Sequence, residues 1–199
     1  MSNNTHAAAG YTIIEMLVVI SVVAIVSTVM LNVFTSAFFP YLELQKEGSA
    51  MSQLSYQSNR VTNVLRSTTG IESANDNDLT IYAYLYPSDA YASKIKYYMK
   101  DEAGKKVLAA DVVPMTANPP TGVPDESKKK TITILHSLAV PPNGRLFTYL
   151  NAGNGIVSAP VSDTSIVKSI KLSLGMNIDG TTVQNMDVLV IIRNRKNNL

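Results

Sequence analysis

The arrangement of apolar and polar positions changes twice along the chain. From Tyr11 to Phe39 apolar residues run almost without relief, and no Asp, Glu, Lys or Arg lies between Glu15 and Glu43. That run exceeds the roughly 20 apolar residues a helix needs to cross a bilayer. Ser21, Ser27, Thr28 and Asn32 interrupt it without charge, and such side chains can hydrogen-bond back to helix carbonyls. From residue 40 the pattern becomes one-sided. Leu44, Met51, Leu54, Val61 and Leu65 recur at helical spacing, with Ser, Gln, Asn, Lys46 and Arg60 between them. The two stretches predict one helix from Tyr11 to about Arg66, about 80 Å long at 1.5 Å per residue. Its first half would face lipid or other chains, and its second half would pack on a domain. Pro40 predicts a kink or local opening, and Gly48 a second weak point.

Past Thr68 the period drops to two. Leu79–Tyr86 and Lys94–Lys100 alternate and flank turn residues Pro87–Ala90, which predicts an antiparallel hairpin. A short third strand is expected around Lys106–Ala109. Asp111–Lys130, with four prolines, reads as an exposed loop. Strands are then expected at Thr131–His136, Leu146–Leu150, Ile166–Leu174 and Thr182–Arg193, with turns at Asn151–Gly155 and Asn177–Gly180. The expected fold is α+β: a long N-terminal helix, transmembrane in its first half, packed on an antiparallel β-sheet domain. Strand order is not legible.

Composition removes whole classes of function. There is no cysteine, hence no disulfide, thiolate nucleophile or cysteine-based metal site, and the two histidines, His6 and His136, are too few and too separated for a histidine-rich zinc site. A net charge of +2 is too small to argue for nucleic acid or an acidic substrate.

Residues 1–10 are short, polar to small, and carry no Lys or Arg. A secretory signal places basic residues first and its small-residue cleavage site after the apolar core. Here Gly10 precedes the core, and a lone carboxylate, Glu15, stands five places after it. Gly10-Tyr11-Thr12-Ile13-Ile14-Glu15 and the long uncharged run resemble the class III leader of type IV pilins and pseudopilins. The resemblance implies cleavage by a prepilin peptidase between Gly10 and Tyr11, methylation of the new Tyr11 amine, and a role for Glu15 in assembly. In that family the glutamate pairs with the N-terminal amine of a neighbouring subunit, which supplies the opposite charge a desolvated carboxylate needs. Val188–Asn194 also resembles the closing strand of larger minor pilins, the J-type pseudopilin and PilW-type proteins.

The other candidates are weaker. Ser127–Lys130 and Ser165–Lys168 fit a loose Ser-x-x-Lys pattern, but one lies in a charged loop and the other enters a strand. Asn75–Asp78 offers oxygen ligands without the glycine and bidentate glutamate of a calcium loop, and reads as a polar turn between helix and strand. Gly153 and Gly155 read as turn residues. His136 reads as structural. Lys94, Lys96, Lys100, Lys105 and Lys106, with Tyr82, Tyr97 and Tyr98, form a candidate nucleic-acid face, against the simpler reading of a hairpin with one solvated and one packed face.

Taken together, the expectation is a leader at 1–10, a transmembrane and assembly helix at 11–39, and a soluble domain at 40–199 that is helical to about 66 and β-rich over 67–199. The function expected is a non-enzymatic minor pilin or pseudopilin without cofactors, exposed outside the cytoplasm, in a type IV pilus, type II secretion or competence filament. Its partners would be other pilin subunits, the prepilin peptidase and the inner or cytoplasmic membrane. The alternatives are a DNA-binding minor pilin and a signal-anchored surface enzyme.

Overall fold

The computed structural model describes residues 11–180 and 182–192. Among them are one long helix, α1 (Ile13–Arg66), and ten strands: β1 (Thr68–Ala74), β2 (Asp78–Ala83), β3 (Ser93–Glu102), β4 (Lys105–Pro114), β5 (Lys130–Leu135), β6 (Leu138–Ala139), β7 (Phe147–Leu150), β8 (Ile156–Val157), β9 (Ser169–Asn177) and β10 (Val183–Ile191). The expected α+β layout is the observed one. The chain divides into two compact units, one ending at Lys46 and the other beginning at Glu47.

Within the first unit, α1 is exposed on every side. The hydroxyls of Ser21, Thr28 and Thr35 donate to the carbonyls of Leu17, Ala24 and Leu31 at 2.8–2.9 Å. Each thus satisfies itself four residues back, as expected of Ser21 and Thr28. Phe34 and Phe38 stack one turn apart, with ring centroids separated by 5.2 Å. The local opening expected at Pro40 is not found, because the helix runs through both Pro40 and Gly48. Losing one N–H removes one bond among many in a helix of 54 residues.

Within the second unit, the buried face of α1 is Ala50, Leu54, Ser58, Val61, Thr62, Val64 and Leu65. Two expected members do not belong to it: Leu44 is 67% exposed and Met51 44%. Small residues do the work expected of Met51. Ala50 and Ser58 sit one turn either side of Leu54 and let the helix approach closely, a contribution that counting large apolar side chains overlooks.

Strands β1 to β5 form one antiparallel sheet in chain order. Its register sets Ile71, Ile81, Ile95 and Val112 in one row and Leu79, Tyr97, Ala110 and Ile132 in the next. Most of these are buried and share the core with Leu54, Val61 and Leu65. The opposite face carries the rows Tyr82–Lys94 and Thr80–Lys96–Asp111–Thr131. This alternation of apolar and polar faces is what the period of two predicted. β3 and β4 pair from Ser93↔Pro114 to Glu102↔Lys105 through a two-residue turn in which Ala103 (φ 51°) and Gly104 (φ 76°) are both left-handed. That backbone matches the right-handed twist of the flanking strands.

The expected strand near 106–109 is thus ten residues long, and the loop expected over Asp111–Lys130 begins only after Pro114. Val112 and Val113 are buried, and Met115 bridges to Pro124. The prolines that suggested a loop begin where the strand ends.

The second sheet has the order β10-β9-β7-β8, with β6 also pairing β9. Phe147, Tyr149, Ile170, Leu172, Leu174 and Val190 turn inward to the same core. β9 starts at Ser169 rather than Ile166, since Thr164–Ile166 forms a 3-10 turn capped by Asp163. Arg193, where the last strand was expected to end, lies outside the described residues, as does His6.

The turn Asn75–Asp78 joins the two sheets. It lies between strands β1 and β2, not between helix and strand as expected. The Asp76 carbonyl accepts from the N–H groups of Leu146 and Phe147, both at 3.0 Å. Asn77 Oδ1 accepts from Leu146 N–H at 3.2 Å, and the Tyr149 hydroxyl donates to the Asn75 carbonyl at 2.6 Å. Two further bonds continue the junction, from Val161 N–H to the Ala74 carbonyl and from the Thr164 hydroxyl to that of Ile71, each 3.0 Å. Burial, together with Asp78 and Asp76 nearby, pushes the Tyr149 phenol well above its ordinary pKa, so it remains a donor.

Two substitutions measure this packing. Leu54→Ala removes a fully buried side chain and is expected to destabilise the fold by about 2–5 kcal/mol. Tyr149→Phe leaves the Asn75 carbonyl short of a donor and is expected to destabilise by about 1–3 kcal/mol. Denaturant unfolding of the detergent-solubilised chain, followed by tyrosine fluorescence and circular dichroism, reads both.

Candidate functional site

Helix α1 begins at Ile13 because Thr12 caps it. The Thr12 side-chain oxygen accepts from the Glu15 N–H at 3.2 Å, and the Thr12 carbonyl accepts from Met16 N–H at 3.2 Å. Thr12-x-x-Glu15 is the sequence of a capping box, a signal the sequence reading passed over. It places Glu15 in the first helical turn, where unpaired N–H groups and the helix dipole favour negative charge. Tyr11 and Glu15 are both exposed. Gly10 lies outside the described residues.

Behind this cap the helix stays uncharged as far as Glu43, and its Ile, Leu, Val, Met and Phe side chains there point outward in all directions. Ile13, Leu17, Ile20, Ile25, Met30 and Phe34 are each exposed by more than half. α1 is long and apolar enough to cross a membrane. A helix apolar all round needs lipid or other helices about it. The combination is an aromatic residue, a cap, one carboxylate in the first turn and an unbroken apolar surface.

Residues 5–31 match the family model of the prokaryotic N-terminal methylation motif. The N-terminal segment of the chain is type IV pilin-like. This motif implies prepilin peptidase processing, assembly with pilin subunits and a structural protein, and the apolar helix fits a membrane anchor. The sequence has no significant match among curated proteins.

The remaining candidates occupy structural positions. Lys94 binds Glu72 at 2.7 Å, Lys100 lies 3.4 Å from Glu102, and Lys106 lies 3.4 Å from Asp101. Lys96 lies over the Tyr98 ring, 5.8 Å from its centroid. Tyr97 is in the core rather than beside the lysines. Lys105 ends the tight turn between β3 and β4. The five lysines thus share one hairpin, but three of them face carboxylates.

Tyr82 also donates to Glu72, at 2.7 Å. Burial and this carboxylate push its phenol up to about 12. Burial opposes the Glu72 charge, but the bonds from Lys94 and Tyr82 outweigh it and hold the carboxyl below its usual range.

The lysine run Lys128–Lys130 lines an open groove of about 630 Å³ with Tyr86, Tyr91, Val112 and Met115. The sequence reading did not bring these aromatic and basic residues together, because the β2–β3 and β4–β5 connections meet only in the fold. Lys128 is bound to Asp125 at 3.0 Å and Lys129 to Asp111 at 2.8 Å. Ser127 donates to Asp125 rather than to a lysine. Among the described residues no cluster of His, Asp and Glu could hold a metal ion. The side-chain oxygen of Asn151 accepts from Gly153 and Gly155 N–H, both at 2.9 Å, so these glycines are turn residues as expected. His136 is exposed just after β5.

Asp111 gives the outer face of the first sheet a pH dependence. Burial disfavours its charge, yet bonds from Lys129, Thr131 and Tyr98 hold its carboxyl below the usual range. A carboxyl lowered on folding contributes stability above its unfolded pKa of about 4, and that contribution is lost as pH falls through the folded value. Thermal unfolding between about pH 6 and pH 2 should therefore show a smaller acid-induced loss in Asp111→Asn than in the unsubstituted chain.

Proposed function

We propose that the chain is a minor pilin or pseudopilin, a structural subunit of a type IV pilus, type II secretion or competence filament. The observation that carries this reading is Glu15, the one charge at the capped end of α1, whose following residues stay uncharged as far as Glu43 and are exposed on every side. In lipid or among packed helices such a carboxylate is expensive unless an opposite charge meets it. Cleavage between Gly10 and Tyr11 creates that charge, since the freed and methylated Tyr11 amine lies at the same depth as Glu15 of a neighbouring subunit. Processing and assembly are thereby coupled. The helix anchors the chain in the inner or cytoplasmic membrane before assembly, with the β-rich part outside the cytoplasm.

The number of strands and the two-sheet layout suit a minor rather than a major subunit. A DNA-binding role for Lys94, Lys96, Lys100, Lys105 and Lys106 is the lesser reading. Glu72, Glu102 and Asp101 neutralise three of these lysines, and a phosphate backbone would have to displace them. A signal-anchored enzyme would need a reactive constellation, whereas Ser127 of the first Ser-x-x-Lys candidate donates to Asp125.

N-terminal mass spectrometry of membrane-extracted protein tests the processing step. The expected first residue is N-methylated Tyr11; an intact leader, or a cut beyond Ile25, would overturn the reading. Glu15→Ala is expected to be cleaved normally but to enter filaments poorly. Wild-type incorporation of that variant would remove the charge-pairing role.

A further inference from the structure

Asparagine or aspartate stands directly before glycine three times in the chain, at Asn143–Gly144, Asn154–Gly155 and Asp179–Gly180. Such pairs share a chemical weakness. The glycine amide nitrogen, unhindered by any side chain, can attack the Cγ of the residue before it. With asparagine the new N–Cγ bond closes a succinimide ring and the Cγ–Nδ2 bond breaks. The amide proton, taken up by hydroxide, is returned through water to the leaving ammonia. Water then opens the ring to aspartate or isoaspartate, and neither step needs an oxidant or an enzyme.

All three glycine amides are already donating. Gly144 N–H donates to the Pro141 carbonyl at 2.8 Å, Gly155 N–H to Asn151 Oδ1 at 2.9 Å and Gly180 N–H to Asn177 Oδ1 at 2.6 Å. A donating amide must break its bond before it can lose its proton and turn on Cγ, so reaction passes through a locally opened form. The electrophiles differ. Asn143 Oδ1 is itself held, accepting from Arg145 N–H at 3.1 Å. Asp179 accepts from Thr182 N–H at 2.7 Å, and a carboxylate is a poorer electrophile than a carboxamide. Asn154 is exposed and left-handed (φ 59°), and its carboxamide makes no hydrogen bond among the described residues.

What restrains this pair is a side chain. Residues 151–155 join β7 to β8 and are all exposed. Asn151 Oδ1 accepts from both Gly153 and Gly155 N–H, while Asn151 N–H donates to the Gly155 carbonyl at 3.0 Å and Asn154 N–H to the Asn151 carbonyl at 3.1 Å. The carboxamide comes so near that a Cβ at residue 155 would stand 3.1 Å from Asn151 Nδ2 and 3.3 Å from Oδ1. Its approach therefore favours glycine after Asn154, and that glycine is what makes Asn154 vulnerable. We propose that Asn154 is a site of spontaneous deamidation whose rate is set by the Asn151 side chain. The inference depends on nothing outside the β7–β8 turn and is independent of the pilin reading.

Full-length chain in detergent is incubated at mildly alkaline pH, and peptide mass spectrometry separates asparagine, aspartate and isoaspartate at positions 154 and 143. Product at Asn154 is expected to form more slowly in the folded chain than in the same chain in guanidinium. Asn151→Leu keeps the size of the side chain and removes the acceptor. It is expected to raise the rate at Asn154 about tenfold, the worth of the lost hydrogen bonding, with Asn143 unchanged. Asn151→Asp keeps an oxygen for the Gly155 N–H and is expected to leave the rate no higher than in the unsubstituted chain. Asn143 serves as the internal control for a variant that opens more than this turn. Four results would each overturn the proposal: equal rates at Asn154 in the folded and denatured chains, no acceleration by Asn151→Leu, equal acceleration by Asn151→Asp, or acceleration of Asn143 together with Asn154.

Discussion

A helix that is apolar on all sides cannot remain in water, and the rest of the molecule is arranged around that constraint. Between Glu15 and Glu43 nothing on α1 is charged. Backbone groups are satisfied within the helix, and Ser21, Thr28 and Thr35 fold their hydroxyls back onto it. Glu15 is what remains. Every other polar group described along that stretch with a bond of its own finds it locally, whereas a carboxylate at the helix start looks outward for its counter-charge. The first unit is therefore incomplete alone, and the second holds a core that closes on itself.

Much of this was legible in the sequence where one physical signal dominated. An uncharged run of that length has few meanings, and alternation with a period of two marked β2 and β3 as strands, although Tyr97, grouped with the lysines in the candidate face, lies in the core. Legibility failed where structure depends on small residues or on partners distant in sequence. Ala50 and Ser58 are buried because they are small, so a count of large apolar residues chose Leu44 and Met51 instead. β4 was cut short because Asp111 and the prolines after it resemble a loop. Yet Asp111 lies on the outer face of the strand, held by Lys129 and Thr131, while Val112 beside it is buried. The capping box at Thr12 was readable and was overlooked. The sheet junction at Asn75–Asp78 was not readable, because its work is done largely by backbone carbonyls.

The charged face of the first sheet shows why composition misleads about partners. Five lysines near three tyrosines suggest a polyanion site when read in one dimension. In the fold, Glu72, Asp101 and Glu102 stand opposite three of them, and Asp111 and Asp125 do the same for Lys129 and Lys128. Exposed pairs of this kind contribute little stability, about 0–1 kcal/mol each. Their larger effect is to leave a surface that is charged in detail and nearly neutral in sum.

The junction at Asn75–Asp78 also bears on the time course of folding. The first sheet is a meander whose strands pair with their neighbours in sequence, so it needs only short loops to close. The bonds that join it to the second sheet span 69 residues from Asn77 to Leu146, 74 from Asn75 to Tyr149 and 93 from Ile71 to Thr164. Closing loops of that length slows folding. A chain delivered from its N-terminus would thus be expected to carry a formed first sheet, with the core beside the Asp76 carbonyl still open, until its last strands arrive.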